Sequence, residues 1–125
     1  ESQKPNVIVI LADDLGYGDI GAFGATDIAT PNIDALGKRG LIFTDFYSGH
    51  SVCSPARAAL LTGRYPRRMG SSHVFQMESP DGMPREEITI AEMLKDVGYA
   101  TGLVGKWHLG STDRYMPWNQ GFDTL

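Results

Sequence analysis

The chain has 125 residues, 42% of them apolar, and a formal net charge of -4. That suits one domain with a hydrophobic core and excludes wholesale disorder. The acidic balance argues against general nucleic-acid binding, which needs a basic face, and no apolar run approaches the roughly 20 residues that span a bilayer. Cys53 is the only cysteine, so neither an internal disulfide nor a C-x-x-C metal site can form. The opening Glu1-Ser2-Gln3-Lys4-Pro5 has no secretory apolar region, which leaves a cytosolic protein or a processed mature form as the expectation.

In chain order, residues 7–11 are a continuous β-branched and leucine run that predicts a doubly buried strand. Residues 12–29, rich in Gly and Asp, read as a long loop. Thr30-Pro31 predicts an N-cap with Pro at the first helical position, and the helix should run to about Arg39 and stop at Gly40. Residues 41–47 predict a second strand. Ser54 is expected to cap a helix that starts at Pro55 and ends at Gly63. Residues 64–87 read as irregular. Thr89-Ile90-Ala91-Glu92 is a capping box opening a helix with Ile90, Met93, Leu94 and Val97 on one face, closed by Gly98. Residues 100–104 predict the third strand.

This alternation predicts an α/β fold, a mostly parallel sheet flanked by helices. In such sheets ligands sit beyond the carboxyl ends of the strands. The first strand leads to Asp13-Asp14, the second to Cys53, and the third to Lys106-Trp107-His108. Two acids, a thiol, a lysine and a histidine are thus expected along one edge.

Gly16, Gly18 and Gly21 have the spacing of a dinucleotide loop. That loop needs a helix opening almost at once, whereas the residues after Gly21 are no helix start, and Asp13, Asp14 and Asp19 would repel phosphates. A phosphate cradle is therefore rejected. Adjacent aspartates at a strand end serve either a turn or a hard divalent cation. Cys53 precedes a helix whose positive end favours an anion there, and Arg57, one turn on, can point back toward the same spot. A cysteine-nucleophile hydrolase is one reading, opposed by the poor match of a soft thiolate with a carboxylate-bound hard cation. His50 and His73 sit in polar loops and read as surface residues. Trp107 reads as a packing residue, and the five methionines share no period.

Cys53-Ser54-Pro55-Ala56-Arg57 resembles the sulfatase signature C-x-P-x-R, and Ala58 through Arg64 is similar to its continuation. Gly98-Tyr99 through Gly105-Lys106-Trp107-His108-Leu109-Gly110 resembles the second sulfatase signature. Pro5-Asn6, Asp13-Asp14, Gly16 through Asp19, Thr30 through Asp34 and Gly121-Phe122-Asp123 resemble further elements in family order. The likeness is to arylsulfatases of the formylglycine-dependent type, with an alkaline-phosphatase-like fold.

The resemblance implies that Cys53 is oxidised to formylglycine by a formylglycine-generating enzyme. The aldehyde hydrates to a diol; one hydroxyl attacks the sulfur of a sulfate ester and expels the alcohol, and the other then eliminates sulfate. It implies Ca2+ bound by Asp13, Asp14 and the modified Cys53, with Arg57 stabilising the diol. Lys106 would bind the sulfate oxygens and His108 would transfer protons. Ala56 stands where many family members have Ser. The family is longer, so residues 1–125 are expected to be the N-terminal part of a single catalytic domain. A lysosomal, secreted or periplasmic setting is implied. Two alternatives stand beside this one: a formylglycine-dependent phosphonate or phosphodiester hydrolase, and an inactive sulfatase-like binding protein.

Overall fold

Pro31 opens the first helix of the computed structural model, which describes residues 4–125. This α1 (Pro31–Arg39) starts where a fixed proline φ favours it and stops at Gly40, whose N–H returns to the Leu36 carbonyl at 2.9 Å. Thr30 flanks it without capping it by its side chain. The Thr30 hydroxyl instead accepts from Gly21 N at 2.8 Å and donates to Asp34 Oδ1 at 2.9 Å. Asp34 Oδ1 also accepts from Ala22 N at 2.7 Å, so the first turn of α1 holds the glycine loop in place. A side chain at Gly21 would run into the Asp34 carboxylate.

The chain divides into two units, Glu1–Phe46 and Tyr47–Leu125. The second contains α2 (Cys53–Thr62) and α3 (Ile90–Asp96). Helix α2 begins earlier than expected: Val52 is its N-cap, and Cys53 is its first residue. Ser54 is not a cap. Its fully buried hydroxyl accepts from the Phe75 N–H at 3.2 Å, so a distant loop takes the oxygen that local capping would use. Gly63 ends α2 at φ 66°, a left-handed position glycine adopts without steric cost.

Helix α3 has the expected capping box, with Glu92 N donating to Thr89 Oγ1 at 3.1 Å and Thr89 N to Glu92 Oε2 at 2.7 Å. Its buried residue is Ala91, whereas Ile90, Met93 and Val97 of the expected apolar face are exposed. Close packing selects the small side chain: the Gly121 backbone lies so near α3 that an added Cβ would sit 2.5 Å from Glu92 N. The Thr89 hydroxyl donates to the Gln120 carbonyl at 2.8 Å, fastening the same face.

The core of this unit is Ala58, Met69, Phe75, Met83 and Leu109, with Leu61 and Trp107 against it. Two methionines without sequence period thus fill it, as an unbranched, adaptable side chain can. Residues 64–87 are irregular as expected, apart from a short 3-10 turn, Pro66–Met69. Arg64 Nη1 lies 2.6 Å from both carboxylate oxygens of Glu87, closing that excursion.

The expected parallel sheet does not form among the described residues. Residues 7–11, 41–47 and 100–104 carry no strand ladder, and the one pairing near them is an isolated parallel bridge between Gly102 and Thr124. A strand is stable only when a neighbour takes its backbone hydrogen bonds. Here the apolar side chains face solvent, Ile8 at 83% and Val104 at 98%.

Around the bridge, Asp123 organises the chain. Its Oδ2 accepts from Thr101 N and from Thr101 Oγ1, both at 3.0 Å, and its Oδ1 pairs with Lys95 at 2.5 Å. The Lys95 hydrogen bond first, then those from Thr101, lower its pKa from 3.8 to about 2. The charged carboxylate therefore favours the folded state above pH 3.8, and that contribution is lost as the pH falls toward 2. Thermal midpoints measured from pH 5 to 2 should fall more steeply for the wild type than for Asp123→Asn. Parallel curves would refute this role.

Candidate active site

Cys53 occupies the first turn of α2, where unpaired backbone N–H groups and the helix dipole favour negative charge. Arg57 follows one turn later and is half-buried. Its Nη1 donates to the Lys106 carbonyl at 2.6 Å. Lys106 Nζ in turn lies 3.5 Å from Cys53 Sγ. Three of the four expected catalytic residues are therefore joined in a chain of contacts, Cys53 to Lys106 to Arg57.

His108, the fourth, stands two residues beyond Lys106 and is half-buried. Its backbone is left-handed, φ 59°, between Gly105 at φ 108° and Gly110 at φ 126°. Such a conformation is uncommon outside glycine, and Asn, Asp and His adopt it most readily. Among the described residues the only other non-glycine with positive φ is Asp14, at 58°. Both belong to the set expected from sequence to do chemistry, where backbone strain tends to be held.

The segment 105–110 is anchored at several points. Leu109 is fully buried, and its carbonyl accepts from Met83 N at 2.8 Å. The Trp107 indole N–H donates to the Tyr115 carbonyl at 2.9 Å, and its ring meets Phe122 edge-on, centroids 5.9 Å apart. Gly82 and Gly110 pack closely on Tyr115; a Cβ on Gly110 would sit 2.5 Å from Tyr115 Cβ. Trp107 thus does more than pack. The anchoring roles of Ser54 and Trp107 left no sequence signal, because their partners are backbone groups 21 and 8 residues away.

The segment borders a cavity of about 700 Å³, walled by Phe75, Met77, Leu103, Lys106, Trp107 and His108 among others. Ser111, just past the segment, donates to the Met77 carbonyl across one rim.

Asp13 and Asp14 lie in the first unit, directly after the apolar run, and both are exposed. The glycine loop behind them closes on itself: Gly16 N donates to Asp19 Oδ2 at 2.6 Å, and a Cβ on Gly16 would come within 2.7 Å of that oxygen. Two short 3-10 turns follow, Tyr17–Asp19 and Gly21–Phe23. A dinucleotide loop opens an α-helix at this point, and these turns are not one. Among the described residues no three His, Cys, Asp or Glu side chains gather as a metal-binding group. The donor chemistry of Asp13 and Asp14 nevertheless suits a hard cation, two carboxylates supplying part of a shell of about 6–8 oxygens.

The sulfatase family profile matches residues 5–125. The chain is 52% identical over 124 residues to arylsulfatase A of Homo sapiens, covering 97% of this chain and 24% of that protein. It is 50% identical over 121 residues to arylsulfatase G of Canis lupus familiaris, covering 97% and 23%. The crystal structure of Ps i-CgsB superposes with a TM-score of 0.93 at 49% identity, covering 97% of this chain and 27% of that one. The chain therefore spans about a quarter of the length of the relatives it matches. Its structural neighbours are sulfatases, of alkaline-phosphatase-like fold. Matched along its length and carrying the Cys53–Lys106–Arg57 contacts, the chain belongs to the sulfatase family.

Proposed function

We propose that the complete protein hydrolyses sulfate esters, with residue 53 as nucleophile. The observation that carries this reading is the approach of Lys106 Nζ to Cys53 Sγ at 3.5 Å, with Arg57 fastened to the same lysine's carbonyl. Two cations at the N-terminal turn of a helix make a site for an anion beside the reacting atom.

In this reading Lys106 holds the sulfate oxygens and offsets charge as the S–O bond breaks. Arg57 stabilises the nucleophile and fixes the backbone that carries Lys106. His108 moves a proton at the nucleophile or at the departing oxygen. Formylglycine, made from Cys53 by a maturation enzyme, supplies a geminal diol and so replaces a soft sulfur by a hard oxygen. A divalent cation, calcium in the family's pattern, would supply a Lewis acid, and Asp13, Asp14 and the modified residue 53 would be its ligands from this chain.

The apolar runs 7–11, 41–47 and 100–104 belong, on the same reading, to the mostly parallel sheet of a single catalytic domain. Support comes from the structural neighbours and from the solvent-facing apolar side chains of these runs. A lysosomal, secreted or periplasmic setting goes with the similarity to the arylsulfatases.

Mass spectrometry of the peptide containing residue 53, from protein made in its native host, should find the aldehyde or its hydrate. Thiol alone would refute the formylglycine route. Paired assays on aryl sulfate and aryl phosphonate esters should favour the sulfate; the opposite preference would assign the site to phosphonate chemistry. Replacing Lys106 by Ala in the complete enzyme should cost on the order of 10²–10³ in kcat, the scale of losing one charge-stabilising donor. Arg57→Lys, which keeps the charge but loses the planar fork, should also lower kcat. Wild-type rates in both variants would remove these residues from the mechanism. Asp13→Ala and Asp14→Ala should each lower bound metal, read by elemental analysis, together with activity. Full metal content would refute the ligand assignment.

A further inference from the structure

The segment bearing Lys106 and His108 is a ledge: its carbonyl at Lys106 is held by Arg57, its Leu109 carbonyl by Met83 N, and it borders a cavity. Between its two functional side chains stands Trp107. The ring lies against the core and edge-on to Phe122, while its indole N–H reaches the Tyr115 carbonyl at 2.9 Å. That bond ties the residue between Lys106 and His108 to the turn Asp113–Tyr115, itself closed by Tyr115 N donating to the Thr112 carbonyl at 2.9 Å.

His108 has a left-handed backbone, which an unrestrained non-glycine residue leaves readily. Arg57 holds the Lys106 carbonyl and Met83 N the Leu109 carbonyl, and the stretch between them is steadied by a third point of attachment. The Trp107 side chain supplies that third point. With a cavity alongside, loss of the point lets the ledge turn, and the Lys106 ammonium moves relative to residue 53.

We propose that Trp107 is a positioning residue for the anion site, acting through its indole hydrogen bond to the Tyr115 carbonyl to hold Lys106 and His108 in register with residue 53. This deepens the sulfatase reading and rests on it for the identity of the reaction. The polar N–H is the acting part and the apolar ring the supporting part, which makes the two separable by substitution.

The test compares the complete wild-type protein with Trp107→Phe, Phe122→Leu and Trp118→Phe. Trp107→Phe keeps a ring but loses the donor, Phe122→Leu weakens the ring contact but keeps the donor, and Trp118→Phe alters the other tryptophan. Three properties are read: hydrogen exchange of the Trp107 indole N–H by NMR, affinity for inorganic sulfate by calorimetry, and kcat and KM on an aryl sulfate. The indole should exchange slowly in the wild type and in Phe122→Leu. Trp107→Phe should lose about 10–100-fold in kcat, the scale of a misplacement near 1 Å, and about tenfold in sulfate affinity, with a thermal midpoint no lower than that of Phe122→Leu. Phe122→Leu and Trp118→Phe should stay within about twofold of wild type in kcat.

A rapidly exchanging indole overturns the proposal, as does Trp107→Phe with wild-type kcat and sulfate affinity. Equal losses in Phe122→Leu also overturn it, because they reduce Trp107 to packing. If Trp107→Phe does not fold, Trp107→His, whose ring retains an N–H, takes its place: kcat recovered toward wild type supports the donor role, and a loss as large as that of Lys106→Ala overturns it. A wild-type protein that neither cleaves aryl sulfate nor binds sulfate refutes the sulfatase reading alone, and the indole exchange then decides the anchor by itself.

Discussion

Everything the site can do depends on one hydrogen bond, from Arg57 Nη1 to the Lys106 carbonyl at 2.6 Å. It joins residues 49 positions apart in sequence, one on α2 and one on the segment 105–110. Without it the N-terminal turn of α2 and the backbone at Lys106 would lose their direct link. Being charge-assisted on the donor side, it is stronger than a neutral bond. Its acceptor is a main-chain atom, so the register it sets depends on the segment's backbone and not on the lysine side chain. The ammonium of Lys106 meanwhile reaches Cys53 Sγ at 3.5 Å.

That bond holds because both of its ends are seated in the same core. Ala58, next to Arg57, is fully buried, and Leu109, three residues past Lys106, is fully buried as well. Met83 and Phe75 complete the contact, and each also brings a backbone N–H to the site's supports, Met83 to the Leu109 carbonyl and Phe75 to the Ser54 hydroxyl. The irregular excursion between α2 and α3 is thus what keeps the two signature segments together. Arg64 and Glu87 close it by a charge pair whose acidic partner is nearly buried, a geometry in which removing Arg64 leaves the Glu87 carboxylate uncompensated.

Features with short range were legible in the sequence. The capping box of α3, the proline start of α1 and the glycine stop of α2 each depend on a few neighbouring residues. So did the site residues on α2 and on 105–110, because the motif spacing carries them. Features that need a distant partner were not legible. A sheet ladder requires a strand to pair with, and β-branched composition in 7–11 expresses a propensity to pair without naming the partner. Ser54 looked like a cap because capping is the local use of a hydroxyl, yet the Phe75 N–H takes it. The apolar face of α3 was read from periodicity, whereas the close approach of Gly121 decides that Ala91 is the residue buried there.

Among the described residues the two non-glycine residues with positive φ, Asp14 and His108, both keep a polar side chain at a bend. In most positions a glycine would relieve the conformation, and the neighbouring Gly105 and Gly110 do take it that way. At 14 and 108 the chain instead keeps a side chain able to offer an oxygen or a nitrogen, in types that tolerate this backbone best. The conformation reverses the direction in which the next residues leave, so the side chain stays at the bend while the chain turns away behind it. For Asp14 the turning is continued by the Gly16–Asp19 loop, which satisfies its own polar groups. For His108 it is continued by Leu109, which enters the core. In each case strain at one residue is tolerated because the following residues are firmly held, one by hydrogen bonds and the other by burial. The glycines near both residues thus serve the chain's reversal, while the polar side chains stay at the bends.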